Sequence, residues 1–595
     1  MSYQPPLREH MFLLRDVLAI EQYADLPGFS DASYETVGQI LEAAAKFNTE
    51  VLAPLNAVGD KQGCRWNSDH TVVTPDGFKE AYRALVEAGW PALGADRAWG
   101  GQGLPGVVNL AVSEMSSSAN MAFGMYPGLT HGAYSAIEHG GSEAQKAFYL
   151  PRLASGEWAG TMNLTEPQCG TDLGLLRTKA VPAGDGTYHI TGEKIWISGG
   201  EHDLAENIVH LVLARIEGAP AGTRGISLFI VPKYIPNPDG SLGARNGVVC
   251  AGLEKKMGIH GNATCVMVHD QAVGWLIGEE NRGLAVMFVM MNEARLGVGL
   301  QGLAQGEAAY QAAATFARER LQGRSLTGPK NPDGPADSIL VHPDVRRMLL
   351  DSRAVLEGGR AFLFWTALRG DLAKVHPDEA VRRRAEDDMG LLTPVLKGYL
   401  TDRGFAICSD AMQVHGGSGF TETFTASQNL RDCRITLIYE GTNGVQALDL
   451  VGRKLGANGG RAVMSFLGEI DAFVAAESAN AELNLFVGAL AGVKAQLQQG
   501  TLWLMQNGLS NPDNAAAAST DYMHLFGLAG LAFMWALMAK AALARIARGD
   551  TDPFHANKLL TGRHFIERIL PLAGAHLAKL ESGSTTLMSF PSEAF

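Results

Sequence analysis

Hydrophobic spacing changes twice along this chain, near Thr161 and near Gly283, so neither helices alone nor a sheet alone can satisfy the whole pattern. Ahead of Thr161, the residues Val37, Ile40, Leu41, Ala44, Phe47 and Val51 recur every three or four positions between Ser33 and Ala53, which predicts an amphipathic helix ending at Pro54. Phe78, Tyr82, Leu85 and Val86 predict a second helix, stopped by Gly89 at its C-cap. Helix continues to Pro151, broken by the loop Trp99-Gly100-Gly101-Gln102-Gly103. Its glycines read as turn makers, since no strand precedes them at dinucleotide-fold spacing.

After Thr161 the apolar runs become short and β-branched: His189-Ile190-Thr191, Ile208-Val209-His210-Leu211-Val212-Leu213 and Ile226-Ser227-Leu228-Phe229-Ile230-Val231. They predict a β domain reaching about Ile277, interrupted by a turn-rich loop, Asn237-Pro238-Asp239-Gly240-Ser241-Leu242-Gly243. From Gly283 helix returns through Arg453, except for a surface excursion from Gly323 to Asp337 around Gly328-Pro329-Lys330-Asn331-Pro332-Asp333-Gly334-Pro335. A last helical section follows, with Leu483, Val487, Leu490, Val493 and Leu497 on one stripe. At 595 residues the chain exceeds what one core supports. The expected division is mainly α with a central β domain: helices over 1–160, β over 161–282, a helical bundle over 283–453 and a further helical domain over 454–595.

A net charge of −13, with no Lys/Arg-rich face, argues against a nucleic-acid partner. The six cysteines are scattered, with no Cys-x-x-Cys pair and no histidines at ligand spacing, so neither a disulfide framework nor a metal site is expected. The N-terminal residues lack the plan of a signal peptide, and a cytoplasmic location is expected. Leu525 to Ala539 carries no charge but is shorter than the roughly 20 residues of a membrane span, so it reads as a buried helix, with peripheral membrane contact left open.

Within the returning helices sits Ile438-Tyr439-Glu440-Gly441-Thr442-Asn443-Gly444-Val445-Gln446, a carboxylate between an aromatic ring and a glycine on a short break. Such a Glu can serve as a positioned general base, and the polar residues after it can meet a phosphate or sugar. Three further segments accompany it: Leu164-Thr165-Glu166-Pro167-Gln168-Cys169-Gly170-Thr171-Asp172, Lys194-Ile195-Trp196-Ile197-Ser198-Gly199 and Gln413-Val414-His415-Gly416-Gly417-Ser418-Gly419. In this order and at these separations the four segments resemble the acyl-CoA dehydrogenase family of flavoenzymes, from about Tyr23 to Arg453. The remaining C-terminal stretch is similar to the extra helical domain of the family's long bacterial branch, which holds 3-methylmercaptopropionyl-CoA and some long-chain acyl-CoA dehydrogenases.

The resemblance implies an α domain, a β-barrel-like domain, a four-helix α domain and an additional C-terminal helical domain, with FAD as cofactor. It implies that Met162, Leu164 and Thr165 face the flavin's pyrimidine side and that Gly170 and Thr171 lie near the pyrophosphate and the incoming CoA. Trp196 and Ile197 would pack beside the flavin, with the Ser198 hydroxyl reaching N5 or O4. Here Gly199-Gly200 replaces the family's usual polar residue after that trio. A cross-subunit set of flavin contacts would comprise Arg320, Gln322, His342, Gln413, Gly416 and Gly417, so a homodimer at least is implied. Leu321-Gln322-Gly323 stands where an aromatic-glycine pair usually follows the arginine.

Thr442 and Asn443 would hold the ADP portion of FAD, with Gly441 allowing close approach, and Asn292 and Arg295 would meet CoA or the neighbouring helix. Some branches place the base on the helix near residue 294, which is Ala294 here, and Glu293 would point roughly 100° away. Glu440 is therefore the expected base of an α,β-dehydrogenation of an acyl-CoA, either a medium- to long-chain fatty acyl group or 3-methylmercaptopropionyl. The partner implied is an electron-transfer flavoprotein, and an acyl-CoA oxidase on the same fold is the alternative.

Overall fold

The computed structural model describes residues 3–595, and the two changes of spacing become two changes of architecture. Helices dominate up to Ser155, strands run from Trp158 to Ile277, and helices resume at Gly283. Ser33 caps the helix Tyr34–Phe47, its Oγ accepting from the Thr36 N–H at 3.2 Å. That helical rod does not end at Pro54, as the sequence suggested. One wider turn, Asn48–Leu52, follows it, and Ala53–Gln62 carries on. Pro54 sits in the first turn of that last piece, where a missing N–H breaks no helical bond.

Thr264–Ile277, Tyr188–Ser198, Lys179–Pro182, Asn207–Ile216 and Ser227–Pro232 close into a ring, the last strand pairing back onto the first. Val248–Leu253 and Trp158–Asn163 extend it to a seven-stranded sheet. Along Asn207–Ile216, Val212, Ala214 and Ile216 pack inside with Phe229 and Val231. The alternate residues Val209, Leu211 and Leu213 pack outside on Ala133, Ile137, Leu150 and Leu153 of the N-terminal helices. Both faces are covered, which is why the strand reads as an unbroken apolar run. The Asn237–Gly243 loop is the turn of a hairpin between Tyr234–Pro236 and Leu242–Arg245.

Gly283–Glu319, Pro343–Val375 and Glu379–His415 pack together with Ala426–Arg434 as the bundle. The Gly323–Asp337 excursion folds around the Asp337 carboxylate, which accepts from the N–H groups of Ser325 (2.9 Å), Lys330 (2.9 Å) and Asn331 (2.7 Å). Pro512–Ala547 is long and apolar enough to cross a membrane. Yet Leu525, Phe526, Leu528, Leu531 and Trp535 on it are each at most 1% exposed, so it is the core helix of the C-terminal domain. The stripe Leu483, Val487, Leu490, Val493 and Leu497 belongs to the same core. Buried Lys558 donates to Glu9 at 2.7 Å and to Glu357 at 2.6 Å, tying the N-terminal helix, the bundle and the C-terminal domain together.

Candidate active site

Glu440 stands on a five-residue break, 438–442, between the turn Ile435–Leu437 and the short helix Asn443–Asp449. Its φ is +56° and that of Gly441 is +86°. The left-handed conformation is costly for a residue with a Cβ, so the surroundings must hold it. The Glu440 carbonyl accepts from Gln446 Nε2 at 3.1 Å and from Arg295 Nε at 3.4 Å. The Gly441 carbonyl accepts from Lys397 Nζ at 2.8 Å and from Gln446 Nε2 at 3.2 Å. Burial raises the Glu440 carboxyl from 4.5 to about 7, with Arg295 and Lys397 pulling the other way. The Lys397 ammonium is lowered to about 8 by the same burial, against the pull of Asp402 and Glu440.

Glu440 lines a cavity of about 360 Å³, walled by the kinked helix Gly106–Gly140 and by Gly283–Glu319, with Met162 at the end of the strand Trp158–Asn163. Ala294 also faces this space, so the alternative base position carries no acid. Glu293 lines it too but lies 3.4 Å from Lys374 and 4.0 Å from His131. Gly128 and Gly297 line the same cavity, and a Cβ built on either meets nothing within 4 Å. A glycine inside a helix costs about 1 kcal/mol relative to alanine. With no neighbour to explain these two, the room they leave is what they provide.

At the strand ends, Trp196 adopts φ +59° and is 61% exposed, an aromatic face held outward on the β domain. Ile197 turns the opposite way into the ring core, 3% exposed, so only its backbone can meet a ligand. The Ser198 carbonyl accepts from the Thr161 hydroxyl at 2.7 Å. Leu164 and Thr165 are half-buried, while Gly170 and Thr171 are exposed. Glu166 is buried and braces this loop: it accepts from Lys194 Nζ at 2.9 Å, from the Thr178 hydroxyl at 2.6 Å and from the Arg177 N–H at 2.7 Å. Burial pushes its carboxyl up, but Lys194 and the donated hydrogen bonds outweigh it and hold the group at about 2.

Four family descriptions match successive parts of the chain between residues 35 and 591. "Acyl-CoA dehydrogenase, N-terminal domain" matches residues 35–157, "Acyl-CoA dehydrogenase, middle domain" 161–272, "Acyl-CoA dehydrogenase, C-terminal domain" 281–455 and "Acetyl-CoA dehydrogenase C-terminal like" 466–591. A 3-methylmercaptopropionyl-CoA dehydrogenase of Ruegeria pomeroyi is 42% identical over 99% of this chain and 100% of its own length. The chain belongs to the acyl-CoA dehydrogenase family. It is accordingly an oxidoreductase acting on acyl-CoA. The broad-specificity linear acyl-CoA dehydrogenase FadE5 of Mycobacterium tuberculosis is 34% identical over the full length of both chains. Among solved structures, Caenorhabditis elegans ACDH-11 in complex with C11-CoA superposes with a TM-score of 0.78 at 19% identity, covering 96% of this chain and 92% of that one. An acyl-CoA dehydrogenase of Bacillus anthracis complexed with FAD gives 0.75 at 22% identity, covering 93% and 88%. Both likenesses concern the fold.

In this family member one chain gathers only part of the expected site. Met162 and Glu440 share the cavity, and Trp196 stands on the strand Tyr188–Ser198 that packs beside the strand of Met162. Arg320, Gln322, Gln413, Gly416 and Gly417 are exposed and His342 half-buried, at the ends of the bundle helices, and none of them lines the cavity. His342 Nε2 donates to the Gln322 carbonyl at 2.9 Å, and Phe420 beside this edge is 84% exposed.

Thr442 is exposed and caps the helix Asn443–Asp449, whereas the Asn443 side chain turns inward, donating to Thr401 Oγ1 at 2.9 Å and Asp402 Oδ1 at 2.7 Å. Asn292 is exposed; Arg295 is buried, its Nη1 3.4 Å from Asp449, behind the Glu440 loop rather than on an open surface. Lys397, Gln446 and Glu166 had no assigned role in the sequence reading. The one available signal was a lone lysine inside Leu391-Leu392-Thr393-Pro394-Val395-Leu396-Lys397-Gly398-Tyr399-Leu400, where a buried charge demands partners.

Proposed function

We propose that this enzyme removes hydrogen from the α and β carbons of an acyl-CoA thioester, giving the trans-2-enoyl-CoA, with FAD as cofactor and Glu440 as base. The observation that carries the reading is the Glu440 carboxyl, facing the cavity from a strained loop and raised to about 7, where it can accept a proton at working pH. The outward Trp196 ring, the Met162 strand end and the exposed Gly170 and Thr171 fit a flat aromatic cofactor bearing phosphates. FAD, when bound, accepts the hydride that leaves the β carbon. Glu440 takes the α-proton, and the backbone N–H of its left-handed loop is one donor for the thioester oxygen as that oxygen gains charge. The exposed edge of Arg320, Gln322, His342, Gln413, Gly416 and Gly417 suits a second copy of the chain, so we place the active form as a homodimer at least.

The electrons then pass to an electron-transfer flavoprotein, and the scattered cysteines, all unpaired, suit a cytoplasmic setting. The acyl group is either a fatty acyl chain or the 3-methylmercaptopropionyl group named for the Ruegeria relative. Mixing the purified enzyme anaerobically with butyryl-, octanoyl-, palmitoyl- and 3-methylmercaptopropionyl-CoA and following flavin bleaching tests the assignment and chooses between the substrates. Colourless protein that takes up no FAD, or bleaching by none of the four, would overturn it. Rapid hydrogen peroxide formation in air without added acceptor would identify an oxidase instead.

A further inference from the structure

We propose that His524, on the core helix of the C-terminal domain, is a positioning residue for the base, holding the Glu440 loop through Asp402 and Asn443. The Asn443 side chain, one residue beyond the left-handed pair Glu440 and Gly441, is the hub. Its Oδ1 accepts from Lys397 Nζ at 2.8 Å, the same ammonium that holds the Gly441 carbonyl, and its Nδ2 donates to Asp402 Oδ1 at 2.7 Å. Asp402 presents its other oxygen to His524 Nε2 at 3.0 Å. The His524 ring is itself fixed, stacked on His576 with ring centroids 5.1 Å apart and planes 13° from parallel, and His576 Nδ1 is held by Asp521 at 2.8 Å.

A carboxylate fixed at both oxygens cannot swing, and so Asp402 keeps Asn443, and with it Lys397, at one place under the base. Three segments meet here: the bundle helix Glu379–His415, the start of Asn443–Asp449 and the C-terminal helix Pro512–Ala547. The C-terminal domain is thereby a working part of the active site, and not only a covering for the bundle. The charged and titratable groups around the Glu440 carboxyl are Arg295 from Gly283–Glu319, Lys397 with Asp402 behind it, and Tyr439 from its own loop, while Asp449 and Arg453 flank Arg295.

The inference rests on Glu440 being the base, and the test separates the two. Full-length, FAD-loaded wild type, His524→Ala, His524→Gln, Asn443→Ala, His524→Ala/Asn443→Ala and Glu440→Gln are mixed anaerobically with butyryl-CoA. His524→Ala is expected to slow flavin reduction about tenfold or more with KM little changed. Its acidic limb in kcat/KM should move to higher pH as the Lys397 ammonium loses its place. His524→Gln, whose amide can still donate to Asp402, should recover much of the rate, and the double variant should be no slower than Asn443→Ala alone. Reduction by His524→Ala at the wild-type rate and with an unmoved pH limb would overturn the link. So would effects of His524→Ala and Asn443→Ala that simply multiply. A Glu440→Gln enzyme that reduces its flavin normally would instead remove the base assignment itself.

Discussion

Replacing Glu440 with Gln should make the protein more stable, and only on the alkaline side. Burial raises the carboxyl from 4.5 to about 7, so the folded state binds this proton more tightly than the unfolded chain does. The favourable contribution is full below about 4.5 and is lost as pH rises through about 7. At about 1.4 kcal/mol per tenfold change in proton affinity, the greatest cost of ionising it in place is roughly 3 kcal/mol. Because the side chain faces an open cavity and water screens it, about 1.5 kcal/mol is the figure to expect. Gln keeps the shape and carries no charge. Equilibrium denaturant unfolding of wild type and variant at pH 5 and pH 8 measures the difference. The gap should be small at pH 5 and about 1.5 kcal/mol in favour of Gln at pH 8. Equal stability at pH 8, or the same gap at both pH values, would refute the reasoning.

Gly128→Leu should fold, since a Cβ there meets nothing within 4 Å, yet fill the cavity. In steady-state assays it is expected to keep most of its kcat/KM for butyryl-CoA and lose most of it for palmitoyl-CoA, and an equal loss for both would contradict the role given to that glycine. Glu166→Gln leaves Lys194 buried without its carboxylate and should cost about 3–5 kcal/mol, read as a lower thermal midpoint together with weaker FAD retention. In wild type that contribution is present above about 4.5 and is lost only as pH falls towards 2, the value at which Lys194 and the donated hydrogen bonds hold the group. Arg320→Ala should lower FAD retention and shift the chain towards monomer in size-exclusion chromatography, while leaving the helical circular dichroism signal unchanged.

What could be read from the sequence were features carried by short-range pattern. The order helix, strand, helix follows from the change of spacing at Thr161 and Gly283, and Glu440 stood out because a carboxylate next to a glycine interrupts helix formers. Features that depend on which way a side chain turns were not legible. Trp196, Ile197 and Ser198 were assigned to one surface, but strand alternation sends Ile197 into the ring core. Pro54 was expected to end a helix, and a single wider turn absorbs it instead. The carbonyl clamp on the Glu440 loop joins Arg295, Lys397 and Gln446, the first of which lies 145 residues away in the chain. No local pattern records a contact of that span, and the same holds for the path from Asn443 through Asp402 to His524.

Single-turnover anaerobic reduction with a thioester shown to be a substrate, carried out on wild type and on Glu440→Gln with equal bound FAD, bears most directly on the central claim. The account requires the variant to bind substrate yet bleach its flavin slower by several orders of magnitude, because the alternative position for the base is Ala294, which cannot take a proton. Bleaching within about tenfold of wild type would place the proton acceptor elsewhere.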